Sequence, residues 1–188
     1  MTRILPKELT SYDFLKTLAV LLMVVDHIGY YFYPEDSWWR AWGRLCVPMW
    51  FFLIGYAASS DLGPRLWIGA AVLVAMNMVT GMSVLPLNIL ATIIMVRLLL
   101  GPVMDRAMRN PAALWGMALV LMFLIIPTSG AVTEYGTLGL LLAMYGYFVR
   151  RKDEMGEGGE MLLLFSAFVF FAFVGCQWLS FLFTGPQF

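Results

Sequence analysis

The sequence predicts an all-α, polytopic integral membrane helix bundle of about seven transmembrane helices, and three observations carry that prediction. The first is composition. Of the 188 residues, 61% are hydrophobic, 15% aromatic and only 13% charged, with a mean hydropathy of +0.81, against about 45–50% apolar residues in soluble domains. The second is the recurrence of apolar runs close to the roughly 20 helical residues that cross a hydrocarbon core about 30 Å thick. The third is that Lys and Arg fall into alternate connecting segments, as the cationic enrichment of cytoplasmic loops requires. Twelve basic and twelve acidic side chains are too few to clothe a soluble domain of this size. Secreted, disordered and nucleic-acid-binding classes are therefore excluded. The formal net charge of zero argues against a polybasic partner.

The spans follow in order as 14–33, 41–60, 65–83, 87–104, 112–128, 135–150 and 161–183. The first ends in Tyr30, Tyr31, Phe32 and Tyr33. Bulky residues there, in place of a small-residue cleavage site, make it an anchor and not a signal peptide. Gly63-Pro64 opens the third span, Asp105 and Arg106 follow the fourth, and Asn110-Pro111 opens the fifth. Arg150 closes the sixth, and the hydrophilic segment Arg150–Glu160 precedes the last. The boundary between the third and fourth, Gly81 to Pro86, carries no charge, which leaves six helices as the alternative. Seven helices put Arg3, Lys7, Arg65, Arg106, Arg109, Arg150, Arg151 and Lys152 on one side. Only Arg40, with Glu35, Asp36 and Glu134, falls on the other. The N-terminus is thus expected in the cytoplasm and the C-terminus outside. Tyr30 to Tyr33, Trp38, Trp39 and Trp42 form an interfacial belt around the first outer loop. No linker or repeat divides the chain, so residues 1–188 are read as a single domain.

Ionisable groups inside apolar helices are costly and therefore mark interior, paired or functional positions. Asp26, His27, Arg44 and Arg97 qualify, with Asp13 and Lys16 at the cytoplasmic edge of the first helix. His27 is the only histidine. Imidazole is the side chain suited to take a proton near neutrality, and it stands beside the carboxylate of Asp26. The alternative is a histidine that ties helices together by hydrogen bonding. Lys16 lies eleven residues before His27, about 20° away in azimuth and about 16 Å along the axis. Asp13 precedes Lys16 by three positions, so an i, i+3 pair is available. Asp26 and Arg44 fall at similar depth on adjacent helices and are expected either to pair or to orient His27. Arg97 faces the same leaflet as Lys16, and the two together would make a basic spot for phosphate. Asn77, Asn88, Thr92, Glu134, Tyr135, Tyr145 and Gln177 either line a polar cavity or bond helices together. Cys46 and Cys176 read as small packing residues. No phosphate loop, dinucleotide fingerprint, zinc spacing or serine elbow is present, so no metal is expected.

Residues 15–29, LKTLAVLLMVVDHIG, resemble the opening helix of the TraX family, the integral membrane pilin acetylases of conjugation systems. Residues 43–56, GRLCVPMWFFLIGY, are similar to that family's Gly-Arg-to-Pro segment, and residues 134–139, EYGTLG, to its acidic-Tyr-Gly turn. Lys16, ten intervening residues and His27 also resemble the motif of the membrane acyltransferase type 3 group, with Lys where Arg is usual. The resemblance implies acetyl-CoA as donor and the N-terminal amine of a pilin subunit as acceptor, in a multi-pass protein of the inner membrane. On that basis His27, Asp26 and Arg44 are the expected catalytic residues. Lys16 and Arg97 are expected to hold the donor, and Glu134 and Tyr135 the acceptor. O-acylation of a periplasmic glycan or lipid, a small proton-coupled transporter, and a non-catalytic assembly factor are the alternatives.

Overall fold

The computed structural model describes residues 10–151 and 159–183, and they are all-helical apart from connecting turns and one isolated bridge between Leu87 and Thr133. Arg3, Lys7, Lys152 and the glycines at 156 and 158 lie outside the described residues. Helix α1 (Ser11–Phe32) opens on a reciprocal cap. Thr10 Oγ1 accepts the Asp13 N–H at 3.3 Å, and the Asp13 carboxylate accepts the Thr10 N–H at 3.2 Å, so two of the donors a helix start leaves unpaired are satisfied. Helix α2 (Ser37–Gly43) is capped by Asp36, whose carboxylate accepts from Trp38 N–H at 3.1 Å. The chain continues as α3 (Cys46–Ala57), α4 (Pro64–Val79), α5 (Ile89–Ala107), α6 (Pro111–Ala131), α7 (Gly136–Arg150) and α8 (Gly159–Phe183). Pro64 and Pro111 occupy the first turn of their helices, where a missing N–H and a fixed φ cost nothing.

The expected unbroken span 41–60 is corrected to two helices. Pro48 has no N–H, and its ring crowds the carbonyl four residues back, which is that of Arg44. The helix gives way there. Val47 N–H bonds the Arg44 carbonyl at 3.0 Å in a tighter three-residue turn, and Arg44 and Leu45 join α2 to α3. The uncharged segment 80–88 separates α4 from α5. With α2–α3 counted as one interrupted segment, the described residues form seven helical segments. Among the described residues, two helices are long and apolar enough to cross a membrane, α1 and the Gly159–Trp178 part of α8.

Helix α7 is the axis of the packing. Gly136 to Met144 and Gly146 to Phe148 are buried, and α3, α5, α6 and α8 surround them. Against α3 the backbones touch: a Cβ on Gly55 would strike the Ala143 carbonyl, and one on Gly146 the Phe52 carbonyl. Helices that lack a water-driven force between them gain from such close approach. Thr137 Oγ1 donates to the Leu121 carbonyl at 2.8 Å, and the Thr137 N–H reaches Thr128 Oγ1 at 3.0 Å, which stitches α6 to α7. Tyr12 stacks on Tyr56 with centroids 4.0 Å apart, and Arg150 Nη1 donates to the Tyr56 and Ala57 carbonyls at 3.1 and 2.7 Å. The start of α1 and the ends of α3 and α7 therefore share one end of the molecule.

Candidate functional site

At the opposite end, the α2–α3 break, the second half of α1 and the 132–135 turn converge. Gly43 lies so close to the Asp26 backbone that a Cβ would collide with it. That contact sets the directions of the side chains that follow. Successive helical residues diverge by about 100°; with Gly43 against α1, Arg44 points away from it, and its Nη1 donates to Gln177 Oε1 of α8 at 3.3 Å. The expected Asp26–Arg44 contact pair is thus corrected. Arg44 bonds a neutral amide, and among the described residues the ion pair within 4 Å is Lys16 with Asp13, at 3.2 Å. One carboxylate oxygen of Asp26 is buried with no hydrogen-bond partner among the described residues.

The turn carrying Glu134 is fixed by main-chain bonds to the approach to α5. Leu87 N–H donates to the Val132 carbonyl at 3.0 Å, and Glu134 N–H to the Leu87 carbonyl at 2.8 Å. The Glu134 carboxylate stands near the Ile89 N–H at the first turn of α5, where the helix dipole favours an anion. Burial on its protein side pushes the carboxyl above its ordinary range. Arg44 and Arg40 oppose that shift, while Asp26 adds to it. Two carboxylates and two guanidiniums therefore share one electrostatic neighbourhood without direct contact pairs. Tyr135, half-buried beside Glu134, meets Phe51 edge-on at 6.0 Å.

Arg40 joins this cluster although its position in the sequence reads as an outer-loop charge. The signal that finds it is its four-residue spacing from Arg44, which places both on one face of a helix. Its guanidinium lies 5.0 Å from the Tyr30 ring centroid, and its Nε is buried without a partner among the described residues. Beside Arg44 and Gln177, an apolar cleft of about 500 Å³ opens between α2 and α8, walled by Trp38, Leu45, Phe173 and Trp178.

His27 lies outside this cluster. It follows Asp26 on α1, so it turns about 100° from the α2 contact, and it is exposed. Its Nδ1 lies 2.7 Å from the Met23 carbonyl. A carbonyl only accepts, so Nδ1 carries a proton, and in the neutral ring Nε2 holds the lone pair. The tautomer role expected of Asp26 falls to the Met23 carbonyl. Lys16 and Arg97 are likewise not brought together. Lys16 is exposed on α1 with Asp13, while Arg97 of α5 donates from Nη1 to the Asp61 carbonyl at 2.6 Å.

The remaining polar candidates bond helices and turns. Asn88 caps α5 by accepting from Ala91 N–H at 3.1 Å, and its amide donates to the Ala70 carbonyl of α4 at 3.1 Å. The amide of Asn77 donates to the Ser83 carbonyl at 3.5 Å. Tyr145 packs with Phe52 at 5.4 Å. Thr92 is fully buried beside Gly139, its hydroxyl without a partner among the described residues.

An all-helical chain in which ionisable side chains gather at a break between apolar helices is the class these observations define. The family model of the TraX protein matches residues 11–181, and the chain belongs to that family. It is 30% identical to an uncharacterised protein of Rickettsia prowazekii over 154 residues, 79% of this chain and 60% of that protein. It is 29% identical to Protein TraX of Escherichia coli over 151 residues, 77% of this chain and 58% of that protein. The chain thus spans about three fifths of the length of these curated relatives. No solved structure matches it.

Proposed function

We propose that this protein is a multi-pass acetyltransferase of the inner membrane, which moves an acetyl group from cytosolic acetyl-CoA to an acceptor arriving at the outer side. The acceptor is the N-terminal amine of a pilin subunit. Family membership supports the reaction class. The observation that carries the mechanism is the Met23–His27 bond, which leaves Nε2 as the proton-accepting atom on an exposed face of α1. A base on the outer face of a helix suits an acceptor that is itself embedded in the bilayer and approaches sideways.

In this mechanism the acceptor amine attacks the thioester carbon as His27 Nε2 takes its proton. The C–N bond forms, the C–S bond breaks, and the CoA thiolate leaves and recovers the proton from the imidazolium. Asp26 stands on the neighbouring face against Gly43 of α2, and Arg44 ties the α2–α3 connection to α8 through Gln177. Arg44 is therefore a positioning residue and not the oxyanion donor. Glu134 and Tyr135 border the outer approach, and Lys16 and Arg97 stand toward the donor's side. Transfer of labelled acetyl from acetyl-CoA to a pilin N-terminal peptide tests the reading. His27→Ala is expected to retain its fold and lose transfer; a folded His27→Ala protein with full transfer overturns it.

The interrupted α2–α3 segment beside buried charge also favours a second reading, a small proton-coupled transporter, because broken helices mark such sites. Proton flux in proteoliposomes, lost in Arg44→Gln and kept in His27→Ala, would select it.

A further inference from the structure

The α3–α4 connection, the start of α4 and the first half of α5 border an open cleft of about 610 Å³. It is lined by Asp61, Gly63, Pro64, Arg65, Leu66, Leu90 and Arg97. That volume lies within the range of small-molecule sites, about 300–1,000 Å³. Three features of its lining favour an anion. Arg97 is held in place by its bond to the Asp61 carbonyl, and its Nε is buried with no partner among the described residues. Arg65 adds a second guanidinium from the first turn of α4. No side chain caps α4, whose N-cap is Gly63 with Pro64 following, so the positive end of a 16-residue helix faces the cleft wall uncompensated. Asp61 is the one carboxylate in the lining. It supplies its backbone oxygen to Arg97, and its backbone N–H goes to Ser59 Oγ at 3.2 Å.

We infer that this cleft binds the phosphate groups of an acyl-CoA donor between Arg65 and Arg97. Guanidiniums match phosphate oxygens in pairs, and a helix start adds a favourable dipole. The inference rests on the acyltransferase reading and narrows it. Lys16, paired with Asp13 on α1, does not line this cleft. Arg65, which sequence reasoning counts only as a topology marker, takes its place.

Calorimetry on the full-length detergent-solubilised protein tests this, with CoA, dephospho-CoA and inorganic pyrophosphate as ligands and phosphatidylglycerol against phosphatidylcholine vesicles in parallel. Arg65→Ala and Arg97→Ala are each expected to raise the Kd for CoA at least tenfold. Arg65→Lys should be intermediate, and Arg109→Ala, an equal loss of charge elsewhere, should bind as wild type. Thermal unfolding checks that each variant is folded; Arg65, at the helix start and exposed, keeps the test alive if Arg97→Ala does not fold. Wild-type CoA affinity in a folded Arg65→Ala protein overturns the site and leaves the acyltransferase reading intact. No CoA binding by the wild type overturns that reading and the inference together. Arg65-dependent binding of phosphatidylglycerol without CoA binding overturns the assignment in favour of a lipid headgroup site.

Discussion

Met23 and His27 stand one helical turn apart on α1, and the 2.7 Å contact between the Met23 carbonyl and His27 Nδ1 decides which imidazole nitrogen is free to work. The bond is to backbone, so no side-chain substitution at residue 23 removes it. His27→Ala is therefore expected to reduce acetyl transfer by about 10²–10⁴-fold, the usual worth of a positioned general base. Met23→Leu should leave transfer within about twofold, since the carbonyl that fixes the tautomer remains. Because His27 is exposed, its removal should change stability by no more than about 0.5 kcal/mol. Parallel rate and thermal-unfolding measurements separate the two effects. A His27→Ala protein that lost both fold and transfer would make the residue structural.

The α3–α7 crossing predicts a stability defect without a chemical one. Gly55→Ala places a methyl carbon against the Ala143 carbonyl, and because both partners are backbone neither has a rotamer to move aside. Overpacking of this kind costs about 1–3 kcal/mol. Thermal unfolding should show a lowered midpoint for Gly55→Ala and an unchanged or raised one for Gly116→Ala, where a Cβ meets nothing within 4 Å and alanine favours the helix. Equal midpoints for the two variants would contradict the backbone contact.

How much of this is legible in the sequence depends on the range of the interaction. The seven segments follow from apolar runs, and the Asp13–Lys16 pair from its three-residue spacing. The break at Arg44 is a local effect of Pro48, yet hydropathy runs unbroken across it, so a span read from apolarity passes straight through. Asp26 and His27, adjacent in sequence, invite a joint role that helical geometry denies them; Gly43 decides which of the two faces inward. The Arg44–Gln177 bond joins positions 133 apart, and no periodicity relates them. Arg40 reads only as a loop charge, because its alignment with Arg44 depends on a short helix that hydropathy does not separate from the span after it.

Pro48 gives a test of that break. Pro48→Ala restores an N–H able to bond the Arg44 carbonyl and removes the ring that crowds it, so α2 and α3 are expected to fuse and Arg44 to swing away from Gln177. The coupling between Arg44→Gln and Gln177→Leu, measured as a double-mutant cycle in thermal unfolding, should be present with the native proline and vanish in the Pro48→Ala background. Coupling that survives in that background would show that the break has another cause.

Glu134 gives a pH dependence of defined sign. Burial raises its folded-state carboxyl above the ordinary glutamate range, with Arg44 opposing. Between the ordinary value and the raised one, the folded protein holds a proton that the unfolded chain has released, so stability falls as pH rises through that interval. Glu134 keeps an exposed edge, so solvent damps the size of the effect but not its direction. Glu134→Gln removes the group and should flatten this part of the profile. Arg44→Gln removes the opposing cation, which should raise the folded-state carboxyl further and extend the falling limb to higher pH. Thermal midpoints recorded across the acidic range for the three proteins provide the check. A wild-type profile that rises through the interval, or one that Glu134→Gln leaves unchanged, would remove Glu134 from the charge cluster around Arg44.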